Sequence, residues 1–146
     1  MKKSRLFLVV LMCMVLQSAT CLADDRIIPV EKLPAAAKVF VQKHFKAAIS
    51  YASKDFEFGG ARFEARLADG TEVDFDHKGN WDKVDCYMQA VPAALVPAAI
   101  AQYIKANHRG AVITKIDKER YGYEIELSNE LDLKFNRNGQ IIGFDD

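Results

Sequence analysis

Long apolar runs, cysteine and net charge are all scarce in this chain, and each scarcity removes a class of protein. The longest continuous apolar run, Leu6 to Leu16, falls short of the ~20 residues a membrane-spanning helix needs. No later stretch approaches that length, so no membrane span is expected. The three cysteines are Cys13, Cys21 and Cys86, and the first two sit in the leading segment, so no internal disulfide is expected. Lysine and arginine number 20 against 20 aspartate and glutamate, which offers nothing to a nucleic acid backbone. His44, His77 and His108 share no spacing that would join two of them on a metal or one of them to a nucleophile. No glycine loop is built to cradle phosphate, and neither Ser50 nor Ser53 lies in a nucleophile elbow. The expectation is a non-enzyme with no catalytic residues, no cofactor and no metal.

The first 23 residues supply the one feature with a clear address. Lys2, Lys3 and Arg5 precede the apolar run, and small residues follow it to Ala23, the pattern of a secretory signal peptide. Cleavage there would leave a chain beginning at Asp24 and place it in the periplasm or outside the cell. Loss of the three basic residues leaves 17 against 20, a net charge of −3. Lipidation at Cys21 is the alternative, opposed by Thr20 immediately before it. Residues 24–32 read as a leader.

Beyond the leader the chain repeats itself. Glu64, Leu67, Phe75, Gly79 and Asp85 recur at an offset of 60 as Glu124, Leu127, Phe135, Gly139 and Asp145. Within the first copy Phe63, Ala65 and Leu67 alternate with Arg62, Glu64 and Arg66, so one strand face is oily and the other charged. A three-residue loop, Ala68-Asp69-Gly70, keeps the oily sets together by pairing Leu67 with Thr71 and Phe63 with Phe75. It also sets Arg66 opposite Glu72 and Arg62 opposite Asp76. After Trp81 the alternation blurs, which predicts a bulge. Ala37, Phe40, Val41 and Phe45 fall at helical steps behind Pro34, and Ile100, Tyr103 and Ile104 do so behind Pro97. The resulting expectation is an α+β fold of two tandem repeats, 33–90 and 91–146. Each would pack a main helix on an antiparallel β-meander, the two forming one unit with helices on one sheet face.

Two groups of residues remain to be weighed. Asp74, Asp76, Gly79 and Asp85 echo a calcium loop, but Lys78 stands where a ligand oxygen belongs. Among the aromatics, Tyr51, Trp81 and Tyr87 fall near strand ends or out of core phase. They either cap the core or form a partner-binding patch, for which Trp and Tyr are well suited. Cys86 reads as a small buried strand residue.

The segments LPAAAKVFVQKHF, FEARLADGTEVDFDHKGNWDKVDC, VPAALVPAAIAQYI and YGYEIELSNELDLKFNRNGQI together resemble the PepSY-like family of small exported bacterial proteins, described as β-lactamase-inhibitor-protein-like. The resemblance implies a helix packed on an antiparallel sheet in each repeat, similar to inhibitor proteins that hold another protein on a concave sheet face. It supplies no catalytic residues, and fold alone does not assign function. The leading expectation is a protein- or peptide-binding module, inhibitor-like, using the sheet face free of helices with Trp81, Tyr51 and Tyr87 as candidate contacts. The alternative is a structural or accessory envelope protein. Mass spectrometry of the processed protein is expected to find Asp24 at the N-terminus; a lipid-modified Cys21 would overturn that cleavage site.

Overall fold

Apolar residues at every second position, interrupted by short polar turns, make a chain that zips into antiparallel strands. The computed structural model describes residues 26–57 and 59–145; the segment expected to be a signal peptide, with Cys13 and Cys21, lies outside them. The strands are β1 (Arg26–Ile28), β2 (Ile49–Glu57), β3 (Gly60–Leu67), β4 (Glu72–Phe75), β5 (Trp81–Asp85), β6 (Ile113–Lys118), β7 (Gly122–Leu127), β8 (Asp132–Asn136) and β9 (Ile141–Asp145). Two ten-residue helices interrupt them, α1 (Ala35–His44) and α2 (Ala98–Asn107).

Among the described residues, nine strands form one open antiparallel sheet whose spatial order is the sequence order. This corrects the expectation of an α+β pair of tandem repeats, each a helix on its own meander. β5 pairs directly with β6, Val84 opposite Ile116, and β1 adds a further strand beside β2, so the architecture is one mostly β sheet with two helices. Similarity at a fixed offset reports the local turns, and pairing partners are settled by which edges would otherwise stay open. Joining β5 to β6 removes two such edges from the interior of the sheet.

The helices begin where proline makes them begin. Pro34 and Pro97 each immediately precede the first helical residue with φ near −50° and −55°. α1 stops when Phe45 turns to an extended conformation, its N–H still donating to the Val41 carbonyl at 2.9 Å. Phe40 meets the edge of Phe75, and Tyr103 meets the edge of Phe135. Ala37, Val41, Ile100 and Ile104 join Phe75 and Phe135 in one buried cluster.

The hairpin registers follow the turn chemistry. Phe63 lies opposite Phe75 and Arg66 opposite Glu72, with the Leu67 N–H donating to the Thr71 carbonyl at 2.8 Å. Register shifts between Asp74 and Phe75 and between Lys134 and Phe135 mark the bulges that disturb the phase after Trp81 and Ile141. The expected Arg62–Asp76 pair does not form. Asp76 instead accepts hydrogen bonds from the Lys78 and Asn80 amides of its own turn, and Arg62 reaches Asp82 at 2.9 Å.

Gly79 and Gly139 carry the helices. Both have positive φ, and a Cβ there would lie 2.8 Å from Pro34 Cβ in the first case and 2.7 Å from Ala99 Cβ in the second. Gly70 also has positive φ but open space around it. Gly70→Ala is therefore expected to cost about 1 kcal/mol from backbone strain alone. Gly139→Ala should cost about 2–4 kcal/mol because overpacking against α2 adds to the strain. Denaturant midpoints of the two variants measure the difference, and equal losses would show that the helix contact contributes nothing.

Candidate functional site

With both helices packed into the single apolar cluster, the opposite face of the sheet is left to polar side chains. The registers lay these out in two rows. One runs Tyr51, Arg66, Glu72, Asp85, Lys115, Glu126, Asp132 and Asp145. The next runs Ser53, Glu64, Asp74, Lys83, Asp117, Glu124, Lys134 and Gly143. Acids outnumber bases in both rows, although the whole sequence is balanced.

The rows are most tightly knit where β3, β4 and β5 meet. Arg66 reaches Glu72 through Nη2 and Glu64 at 3.4 Å. Lys83 holds Glu72 at 2.6 Å and Asp74 at 3.2 Å. Glu64, Glu72 and Asp74 bring one carboxylate oxygen each within 4.8 Å of one another, so two cations share three acids. Burial, with the charges of Glu72 and Asp74, raises the Glu64 carboxyl above its ordinary range against the pull of Arg66. Burial likewise raises Asp74 against the pull of Lys83, and raises Asp117, where Glu119 adds to the effect. Burial disfavours the Lys83 ammonium, yet the hydrogen bond to Glu72 and the surrounding acids hold it well above its usual range.

Arg66 also organises the aromatic part of the face. Its Nη1 donates to the Tyr87 hydroxyl at 2.6 Å, and Tyr51 stands directly opposite it across the β2–β3 pair. Tyr87 has φ +54°, a conformation costly for an aromatic residue, and its own N–H donates to Asp85 Oδ1 at 2.8 Å. Two hydrogen bonds thus hold a strained residue whose ring stays half exposed; such strain persists only where surrounding contacts over-determine it. Met88, next in sequence, is 91% exposed.

Tyr51 and Tyr87 are therefore brought together, and Trp81 is set apart from them. The Trp81 indole stacks on Phe40 of α1, centroids 5.9 Å apart. Lys118 sits over the indole, Nζ 3.5 Å from the ring centroid, and donates to the Trp81 carbonyl at 2.9 Å. That placement is on the helix side of the sheet, a consequence of the bulge that changes the phase of β5. Sequence reasoning missed Arg66 as the organiser and Met88 as the protruding neighbour. The Arg66–Glu72 register was a signal for the first, while nothing in the local pattern marked the second. Cys86 is buried, and burial raises its thiol.

The geometry defines an open-faced antiparallel sheet, helices on one side and a charged, tyrosine-edged surface on the other. A family model described as "putative beta-lactamase-inhibitor-like, PepSY-like" matches residues 61–143, and the chain belongs to that family. Three solved structures are similar. A "putative periplasmic protein of unknown function" from Bacteroides vulgatus is 35% identical with a TM-score of 0.80, covering 84% of this chain and 99% of its own. A "putative calcium-regulated periplasmic protein" from Bacteroides thetaiotaomicron is 36% identical with a TM-score of 0.79, covering 84% and 98%. A "putative periplasmic protein from DUF2874 family" from B. vulgatus is 33% identical with a TM-score of 0.78, covering 84% and 98%. No curated protein matches the sequence.

The raised carboxyls have a pH consequence. Glu64, Asp74 and Asp117 take up protons at higher pH in the folded chain than in the unfolded one. Stability contributed by these groups therefore rises as pH falls from neutral toward the carboxylate range. Asp76 works in the opposite sense: burial would raise it, but hydrogen bonds from Asn80 and Lys78 hold it low. Asp74→Asn is expected to make the dependence of unfolding free energy on pH shallower as pH falls from neutral toward the carboxylate range. An unchanged slope in denaturant titrations would show that Asp74 titrates as an ordinary carboxylate.

Proposed function

We propose that this protein is an exported, non-enzymatic module that holds a protein or peptide segment on its helix-free sheet face, in an inhibitor-like manner. The periplasmic descriptions of its structural relatives support the location, and among the described residues no helix is long and apolar enough to cross a membrane. The observation that carries the reading is the Tyr51–Arg66–Tyr87 group. Two partly exposed tyrosines flank a guanidinium, and one of them is fixed in a strained backbone conformation by Arg66 and Asp85. Rigid aromatic side chains with a polar tip, beside an arginine, are the residue types that dominate binding energy at protein interfaces.

The contact centres on Tyr51 and Tyr87, and Trp81, stacked on Phe40 of α1, supports the fold instead. One structural relative is described as calcium-regulated. In this chain Lys83 and Arg66 already counter the Glu64, Glu72 and Asp74 carboxylates, so a cation at that point would have to displace Lys83.

Affinity capture from cell-envelope extract, followed by titration of the captured partner, tests the proposal. Tyr87→Ala is expected to weaken binding by about 2 kcal/mol with little change in thermal stability. Trp81→Ala is expected to cost about 3 kcal/mol of stability through lost packing on Phe40. A partner that binds Tyr51→Ala and Tyr87→Ala as tightly as the parent would overturn the site. Failure to capture any saturable partner would favour the accessory envelope role.

A further inference from the structure

The helix side of the molecule holds a cavity that the sheet-face reading does not use. It lies at the C-terminal end of α2, between that helix, the 3-10 turn Ala93–Leu95 and the start of β6, and measures about 700 Å³. Its walls are apolar: Val91, Val96, Ala101, Ile104 and Ile113 form the trough. The polar residues that line it are Lys105, His108 and Arg109, and no acid does. Ligand sites in proteins fall in the range of about 300–1,000 Å³ and combine apolar walls with a few convergent polar groups.

The corresponding corner of α1 provides an internal comparison. There the cavity is about 440 Å³ and is lined by Val30 and Phe45 among others. Phe45 is the residue that follows α1, as His108 follows α2, and Val30 opens its 3-10 turn as Ala93 opens the other. Smaller side chains at both positions enlarge the corner under α2. Cations near a helix C-terminus complement the macrodipole, which accounts for basic residues at both corners. It does not account for an enlarged apolar trough beside them.

We infer that this cavity binds a small amphiphilic carboxylate, a medium-chain fatty acid, with its chain in the Val91–Ile104–Ile113 trough and its head group at Lys105 and Arg109. The apolar walls bury the chain, and a charge-assisted pair at the rim fixes its direction. The site is separate from the Tyr51–Arg66–Tyr87 face, so it stands or falls independently of the proposed partner.

Calorimetric titration of the mature protein with decanoate, held below its aggregation concentration, is the direct test, with decanol as the neutral counterpart. Saturable binding is expected, with decanoate preferred over decanol. Lys105→Ala/Arg109→Ala should weaken decanoate by about tenfold while leaving decanol unchanged. Ala93→Val/His108→Phe rebuilds the smaller corner found under α1 and should abolish binding of both while preserving the unfolding transition. Absence of saturable binding would overturn the inference. So would equal affinity for acid and alcohol, or binding that survives the filled corner.

Discussion

One row of side chains holds this molecule together. Ile28, Ala52, Ala65, Val73, Val84, Ile116, Ile125, Leu133 and Phe144 lie directly opposite one another from strand to strand across the entire sheet. The seven interior members are 1% exposed or less. Each such burial is worth about 1.5–3 kcal/mol for a Val, Leu or Ile side chain. A slip of one residue at any pairing would turn the downstream part of the row toward the charged face. The helices, the turns and the polar surface are all placed by keeping this row in register.

The same constraint creates the opposite face. Once the apolar row points toward α1 and α2, its neighbours must point away, and those neighbours are mostly charged. Their acids outnumber their bases, so Lys83 and Arg66 are shared rather than paired one to one. Exposed cross-strand pairs contribute only about 0.2–1 kcal/mol each, too little to direct the fold. Their effect is on the character of the surface. The helices differ in lacking acids: α1 carries Lys38 and Lys43 and no acid, and α2 carries Lys105 and no acid. A chain of balanced composition thereby becomes a molecule with an acid-rich sheet face and basic helices, and the two candidate sites inherit opposite electrostatic settings.

Edges and bulges explain where the surface features sit. The sheet ends at β1 and β9, and closing the β5–β6 pair is what lets the charged rows run unbroken between them. The bulge between Asp74 and Phe75 moves Trp81 to the helix side, where it supports Phe40 and receives Lys118. Tyr87, beyond the end of β5, stays on the polar side because Arg66 and Asp85 hold it there. Two aromatics six residues apart thus acquire different surroundings and different roles.

Local features were legible in the amino-acid sequence because each depends on a few neighbouring residues. The Ala68-Asp69-Gly70 turn set the Phe63–Phe75 and Arg66–Glu72 pairs, Pro34 and Pro97 set the helix starts, and the broken alternation after Trp81 marked a bulge. Family membership was carried by the same short motifs. The neighbour relation of β5 and β6 was not legible, since backbone pairing is common to all strands and the choice depends on which exposed edges the whole chain must close. Nor were the convergence of Tyr51 on Arg66 and Tyr87, the burial of Trp81 against Phe40, or the enlarged corner under α2. Those arise from residues far apart in sequence whose meeting is decided only when the apolar row packs in register beneath the helices.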